Sequence, residues 1–186
     1  MTLGEGKQEV LKLLDEYSTA GAITPDEDIN LKMNQFFNIA QRDMAGWQPI
    51  LRRAVVALTG SGHDPLPEDV SQVLYFSIGG RRTPKYEVVD GKIYYAAGDT
   101  SELTLDYIAN PAPIPSDAPD DYEFEISEEA ANCMPMFVAA QQMIPDLVID
   151  YSKFYNIYLQ MRSTVPHTRH TGNSGRIRQA LYSRRS

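Results

Sequence analysis

The chain has a single cysteine, Cys133, only three histidines, and no run of about 18 apolar residues. One cysteine excludes an intramolecular disulfide framework and fits a reducing compartment, or a particle assembled in one. Without the apolar run no transmembrane helix is expected. The opening MTLGEGKQEVLKLLDEY lacks the basic start and apolar core of a signal peptide, so synthesis in the cytosol is expected. Acid is missing from the C-terminal end. Residues 151–186 carry Lys153 and six arginines with no Asp or Glu, whereas residues 1–150 carry 10 Lys and Arg and all 25 Asp and Glu. A block of one sign reads as an interaction tail docking on something acidic; the plainer alternative is a solvated tail that aids solubility.

What is present is enough for a core: 186 residues, of which 42% are hydrophobic. Val10, Leu11, Leu13, Leu14 and Tyr17 predict an amphipathic helix over 6–19, followed by a break at 20–23. Thr24-Pro25-Asp26-Glu27 combines an N-cap, a proline at the first helical position and a capping-box acid. It opens a helix whose stripe is Ile29, Met33, Phe36, Phe37, Ala40 and Met44, which is core rather than ligand spacing. Gly46 to Pro49 ends it.

Leu51 to Thr59 then reads as a strand, Gly60 to Pro65 as turn chemistry, Val73 to Ile78 as a strand and Gly79 to Pro84 as a loop. Tyr86–Val89, Asp90-Gly91 and Lys92–Ala96 spell a hairpin, because Asp-Gly suits a two-residue turn. Glu102 to Ile108 alternates as one more strand. Asn110 to Asp121, rich in proline and aspartate, forms neither a central strand nor a helix. Tyr122 to Ile126 alternates again as a short extended segment. Ser127 caps a helix with Glu128 and Glu129 in its first turn. Met136, Phe137, Ala139, Ala140 and Met143 pack, and Pro135 and Pro145 kink or divide this region. A last helix runs from Asp146 to about Arg162, with Leu147, Tyr151, Phe154, Tyr155, Tyr158 and Leu159 inside. No internal repeat is seen.

The search for chemistry returns little. His63, His167 and His170 lie in turn or tail sequence, away from a nucleophile. His167 and His170 are three apart, but zinc needs further ligands and none is near. Gly60-Ser61-Gly62 lacks the Gly-Lys-Ser/Thr end of a phosphate loop. Asp117, Asp120 and Asp121 do not match a calcium loop, and a solvent-facing or neighbour-facing acidic loop is the more ordinary reading. Gly79-Gly80-Arg81-Arg82 is either a phosphate-binding or a merely basic turn. No cofactor or metal site is expected.

The order of these pieces carries a resemblance. A capped helical pair is followed by Leu66-Pro67-Glu68-Asp69, a strand, Tyr86-x-Val88-x-x-Gly91-Lys92-Ile93 and Leu103-x-Leu105-x-Tyr107. Asn110-Pro111-x-Pro113-Ile114, Tyr122 to Ile126 and an alanine-bearing helix complete it. Over residues 24–160 the chain resembles the head–tail connector (adaptor) proteins of tailed bacteriophages. The resemblance implies an α+β fold, a helical bundle with an inserted antiparallel β domain and an extended basic C-terminal tail. Its parts here are an N-terminal helical hairpin (1–49), the β domain with its proline-rich return loop (50–126), C-terminal helices (127–162) and the tail (163–186).

The resemblance also implies a structural virion protein of the neck, without catalytic residues, made in the host cytoplasm. It would form a ring, typically dodecameric, docked beneath the portal and followed by the next neck, stopper or tail protein, with genomic DNA passing through its lumen and no membrane. By position and composition the tail takes the portal-docking role, through Arg169, Arg176, Arg178, Leu181, Tyr182, Arg184 and Arg185. Arg81, Arg82, Asp117, Asp120 and Asp121 are candidate neighbour-subunit contacts. The alternatives are a stopper or tail-completion neck protein, a nucleic-acid-binding regulator using the Arg-rich tail, and an enzyme with a carboxylate site.

Overall fold

Thr2 and Glu5 close a capping box: the Thr2 N–H donates to Glu5 Oε2 at 2.8 Å, and the Glu5 N–H donates to Thr2 Oγ1 at 3.3 Å. The first helix, α1 (Leu3–Asp15), therefore starts three residues before the Gly6 start expected from hydrophobic spacing. The computed structural model describes residues 1–15, 27–83, 85–143 and 151–167. The remaining elements are α2 (Glu27–Trp47), β1 (Ile50–Ala57), β2 (His63–Pro65), β3 (Val70–Ile78), β4 (Arg81–Thr83), β5 (Glu87–Val89), β6 (Lys92–Tyr94), β7 (Glu102–Ala109), α3 (Glu128–Ala131), α4 (Met134–Met143) and α5 (Ser152–Thr164). The fold is mixed α+β with antiparallel sheets. The capping signal at Thr24-Pro25-Asp26, Pro145 and the expected start of the last helix at Asp146 lie outside the described residues. Among the described residues, no helix is long and apolar enough to cross a membrane.

One compact unit joins Met1–Ile50 to Pro111–Thr168. Its core is built on α4, against which α1, α2 and α5 each pack. Met33, Phe37, Ala40 and Met44 from α2 are fully buried there, with Val10, Met134, Val138, Ala139, Ala140 and Tyr158. Phe36 is only partly buried. Two glycines of α1 are explained by close approach rather than by a turn. A Cβ on Gly4 would sit 2.7 Å from Asp120 Cβ, and one on Gly6 would sit 2.9 Å from the Phe37 ring. The Gly4 N–H donates to the Asp120 carbonyl at 2.8 Å and the Leu3 N–H to that of Tyr122 at 2.9 Å, so two free donors of the helix start are met by the proline-rich segment.

That segment is held by a ladder of side-chain amides on α2. Asn34 Nδ2 donates to the Ser116 carbonyl at 3.2 Å, Asn38 Nδ2 to that of Ile114 at 3.1 Å and Gln41 Nε2 to that of Ala112 at 3.2 Å. In return the Ile114 N–H donates to Asn38 Oδ1 at 2.6 Å, and the Glu125 N–H to Gln41 Oε1 at 3.1 Å. The Ala112 N–H donates to Glu125 Oε2 at 2.9 Å, closing the set. Helical positions 34, 38 and 41 rise by roughly 4.5–6 Å per step, near the roughly 6.6 Å covered by two extended residues. Pro111, Pro113 and Pro115 occupy the alternate positions, where no N–H exists to be orphaned, and their fixed φ keeps the chain extended. Ile114 enters the core between them, 4% exposed.

Ser127 caps α3 as expected, accepting from the Ala130 N–H at 3.2 Å, while its hydroxyl donates to Gln48 Oε1 at 2.6 Å. The helix then breaks at Asn132-Cys133, before Pro135 rather than at it. Pro135 sits in the first turn of α4, where its missing N–H costs nothing. In α5 only Phe154 and Tyr158 are buried; Tyr151, Tyr155 and Leu159, expected inside, are 46%, 38% and 36% exposed.

The other unit, Leu51–Asn110 among its described residues, holds two sheets in the orders β1-β7-β3-β4 and β2-β6-β5. The Asp90-Gly91 signal is realised as a two-residue turn between paired Val89 and Lys92, with φ of 48° and 71° at the two central residues. Two expectations are corrected. Gly79 to Pro84, read as a loop, opens with a second such turn at Gly79-Gly80, with φ of 54° and 78°, and continues as strand β4 paired with β3. His63–Pro65, read as turn, is a strand; it lies at a sheet edge, where a proline is tolerated. Leu58, Val73, Phe76, Tyr86, Ile93, Leu103, Leu105, Tyr107 and Ala109 are the buried apolar residues among this unit's described residues.

Replacing Asn38 by Ala should strand the Ile114 N–H and carbonyl and lower unfolding stability by about 2–3 kcal/mol. Denaturant unfolding of the purified chain measures this; a loss under about 0.5 kcal/mol would show that the ladder is not a main fastening of the segment.

Candidate functional site

The C-terminal ends of α2 and α5 meet through two matched pairs spaced four residues apart: Asp43 and Trp47 on one helix, Tyr158 and Arg162 on the other. Tyr158 is fully buried and its hydroxyl donates to Asp43 Oδ2. Burial, with the hydrogen bond to the Asp43 carboxylate adding to it, pushes the Tyr158 phenol well above its usual range. Arg162 Nη1 donates to the same carboxylate oxygen at 2.6 Å, and its guanidinium lies 5.0 Å from the centre of the Trp47 ring. A cation at that distance adds about 0.5–1 kcal/mol where solvent reaches it.

The chain then turns back onto the same indole. Trp47 Nε1 donates to the Val165 carbonyl at 3.1 Å, and Val165 is 4% exposed. The His167 ring stands 4.6 Å from that of Trp47, its Nδ1 2.6 Å from the Trp47 carbonyl at the end of α2. Segment 163–167, expected as the start of an extended tail, is thus helical through Thr164 and packed through His167. The reason is tertiary: Trp47 offers an apolar face and an indole N–H that needs an acceptor. His167, read as part of a solvated tail, is part of this packing.

The seven residues expected to dock a partner, Arg169, Arg176, Arg178, Leu181, Tyr182, Arg184 and Arg185, lie outside the described residues. Arg81 and Arg82 stand exposed on β4, with the Arg82 guanidinium stacked 3.9 Å from the centre of the Tyr75 ring. Asp117, Asp120 and Asp121 are exposed in the proline-rich segment. Lys7 Nζ is 3.8 Å from Asp120. The arginines belong to one unit and the aspartates to the other. Cys133 is buried, and burial pushes its thiol up, away from the reactive thiolate. Among the described residues, no group of three or more His, Cys, Asp or Glu is placed to hold a metal ion.

In the β unit the carboxylates serve as fastenings. Asp64, 7% exposed, accepts from the Tyr95 hydroxyl, from the Thr59 N–H at 2.9 Å and from the Thr59 hydroxyl at 2.9 Å. The Tyr95 bond, and then the Thr59 N–H, hold its carboxyl below the usual carboxylate range. Hydrogen bonds from Ser101 do the same for Asp99. Asp69 accepts from Arg52 at 2.6 Å and from Tyr107 at 3.1 Å, and Asp106 from Arg53 at 2.9 Å.

The apolar faces of the helices do not show the Asp43–Trp47–Tyr158–Arg162 node. Its one signal was the pair of four-residue spacings, and nothing local says that the two pairs face each other. The amide ladder was missed for a similar reason, since Asn34, Asn38 and Gln41 interrupt the apolar stripe without breaking it. Compared with known proteins, the chain matches no family model and no curated protein.

Because the Asp64 carboxyl is depressed in the folded state, its contribution to stability is present above the unfolded value near about 4 and is lost as pH falls through the folded value. The gap in melting temperature between the parent and Asp64→Asn should therefore be widest above about pH 4 and narrow towards about pH 2. Thermal melts across that range check it, and a pH-independent gap would show that the charge on Asp64 is not what holds Thr59 and Tyr95 together.

Proposed function

We propose that this chain is a head–tail connector, or adaptor, of a tailed bacteriophage. It is a structural virion protein that forms a ring beneath the portal, with DNA passing through the lumen and the basic C-terminal segment docking on the portal. The observation that carries this reading is the chain's path. Among the described residues, the helices come from the two segments Met1–Ile50 and Pro111–Thr168, and the seven strands fall between α2 and α3 in the chain. That path supports a helical bundle carrying an inserted antiparallel β domain, the arrangement the sequence resemblance implies.

The charge division agrees. An acidic body does not hold DNA against its wall, and a basic segment suits an acidic docking surface. The buried or half-buried carboxylates Asp43, Asp64, Asp69 and Asp106 have Tyr, Thr or Arg partners that lock the fold. Symmetry of the ring follows the portal, with twelve copies the expected number.

Imaging the full chain mixed with portal rings from the same genome, by negative stain, tests the reading. Rings stacked coaxially on the portal are expected. Rings bound only to tail components would favour a stopper or tail-completion protein, and dispersed chains with steeply salt-dependent DNA binding would favour a nucleic-acid-binding regulator. Deleting residues 168–186 should abolish portal binding with the melting temperature unchanged. The cut belongs after His167, because Val165 and His167 are packed on Trp47.

A further inference from the structure

We infer that the Trp47 node is a positioning clamp: it fixes the course of the chain through His167, and thereby sets the point from which the basic segment that follows can reach a partner. This rests on the reading that residues 168–186 dock on the portal.

Four separate interactions converge on the exit. The indole N–H holds the Val165 carbonyl, Val165 is buried, the His167 ring packs on the indole, and His167 Nδ1 meets the Trp47 carbonyl. Beneath them, Arg162 lies over the same indole and is anchored on Asp43, which Tyr158 also engages from the core. None of this is needed to end α5, whose last N–H bond, Val165 to the Arg162 carbonyl at 3.2 Å, would form in any helix end. Each added contact instead acts on the three residues after the helix, and their common effect is to remove freedom from the chain just before residue 168.

Freed at Thr164, those three residues would let the start of the segment wander by up to about 10 Å. Docking of a tethered segment depends on its effective concentration at the partner site, which falls once the tether is longer than the span requires. A ring multiplies the requirement, because every copy presents its segment to an equivalent site at the same time. Trp47, Arg162 and His167 are therefore positioning residues.

The test separates position from fold. A six-residue Gly-Ser insertion between His167 and Thr168 leaves the clamp and the segment intact but loosens the exit, by about 13 Å root-mean-square for a flexible linker. Portal rings from the same genome are the probe, with affinity measured by surface capture of the full chain. The insertion variant should bind at least tenfold more weakly, while its melting temperature and the emission of Trp47, the single tryptophan, stay as in the parent. Trp47→Ala should weaken binding similarly, and Trp47→Phe, which keeps a ring for Arg162 and His167, should recover part of it. Binding of the insertion variant within twofold of the parent overturns the clamp, even if Trp47→Ala is too unstable to assay. Parent-like binding after deletion of 168–186 would instead remove the docking reading, and the clamp's role with it.

Discussion

The helical unit depends on one match of spacings: three amides on a helix against every second residue of an extended chain. Asn34, Asn38 and Gln41 meet Ser116, Ile114 and Ala112 in antiparallel order. An irregular segment cannot be buried unless its backbone groups find partners, because each orphan costs about 1–3 kcal/mol. The prolines between these residues remove donors that would have had no partner, and the amides meet the Ala112, Ile114 and Ser116 carbonyls and the Ile114 N–H. Burial of Ile114 and the meeting of residues 120–123 with the start of α1 follow from that fastening.

The same logic recurs at several buried polar side chains, although Asn34 Oδ1 and Asp106 Oδ2 are buried without a hydrogen-bond partner. Tyr158, Asp64, Tyr107 and Trp47 each carry a polar atom into a place with little water, and each has an identified partner. Their locations differ in consequence. In the β unit the pairs lock loops and strand ends. At the ends of α2 and α5 they govern where the chain emerges, and for that reason the clamp, rather than the exposed arginines of β4, bears on how a C-terminal segment would be presented.

Much of the secondary structure was legible in local chemistry. The Asp90-Gly91 turn, the alternation of Leu103, Leu105 and Tyr107, the Ser127 cap and the stripe of Met33, Phe37, Ala40 and Met44 all stand where their patterns put them. The misses have separate causes. β2 and β4 are three residues long, too short to show a period, so His63–Pro65 and Arg81–Thr83 read as loop. Thr2 and Glu5 form a complete capping box that hydrophobic spacing does not show, because the apolar residues that predict the helix begin only at Val10; Gly4 and Gly6 fit where α1 packs closely on Asp120 and Phe37. Tyr151, Tyr155 and Leu159 were placed inside because they are apolar, but an apolar residue reports the side chain and not the side it faces.

By itself the sequence determined the class of fold, the charge division and most strand and helix positions, because these follow from periodicity, caps and turns acting over a few residues. Tertiary structure alone decided which polar side chains face one another: the amide ladder on the proline-rich segment, Asp43 with Tyr158 and Arg162, and Trp47 with Val165 and His167. These pairs join residues 71 to 120 positions apart. No local pattern encodes such a pairing; it exists only once α4 has brought the helices together and a buried polar atom must take the partner within reach.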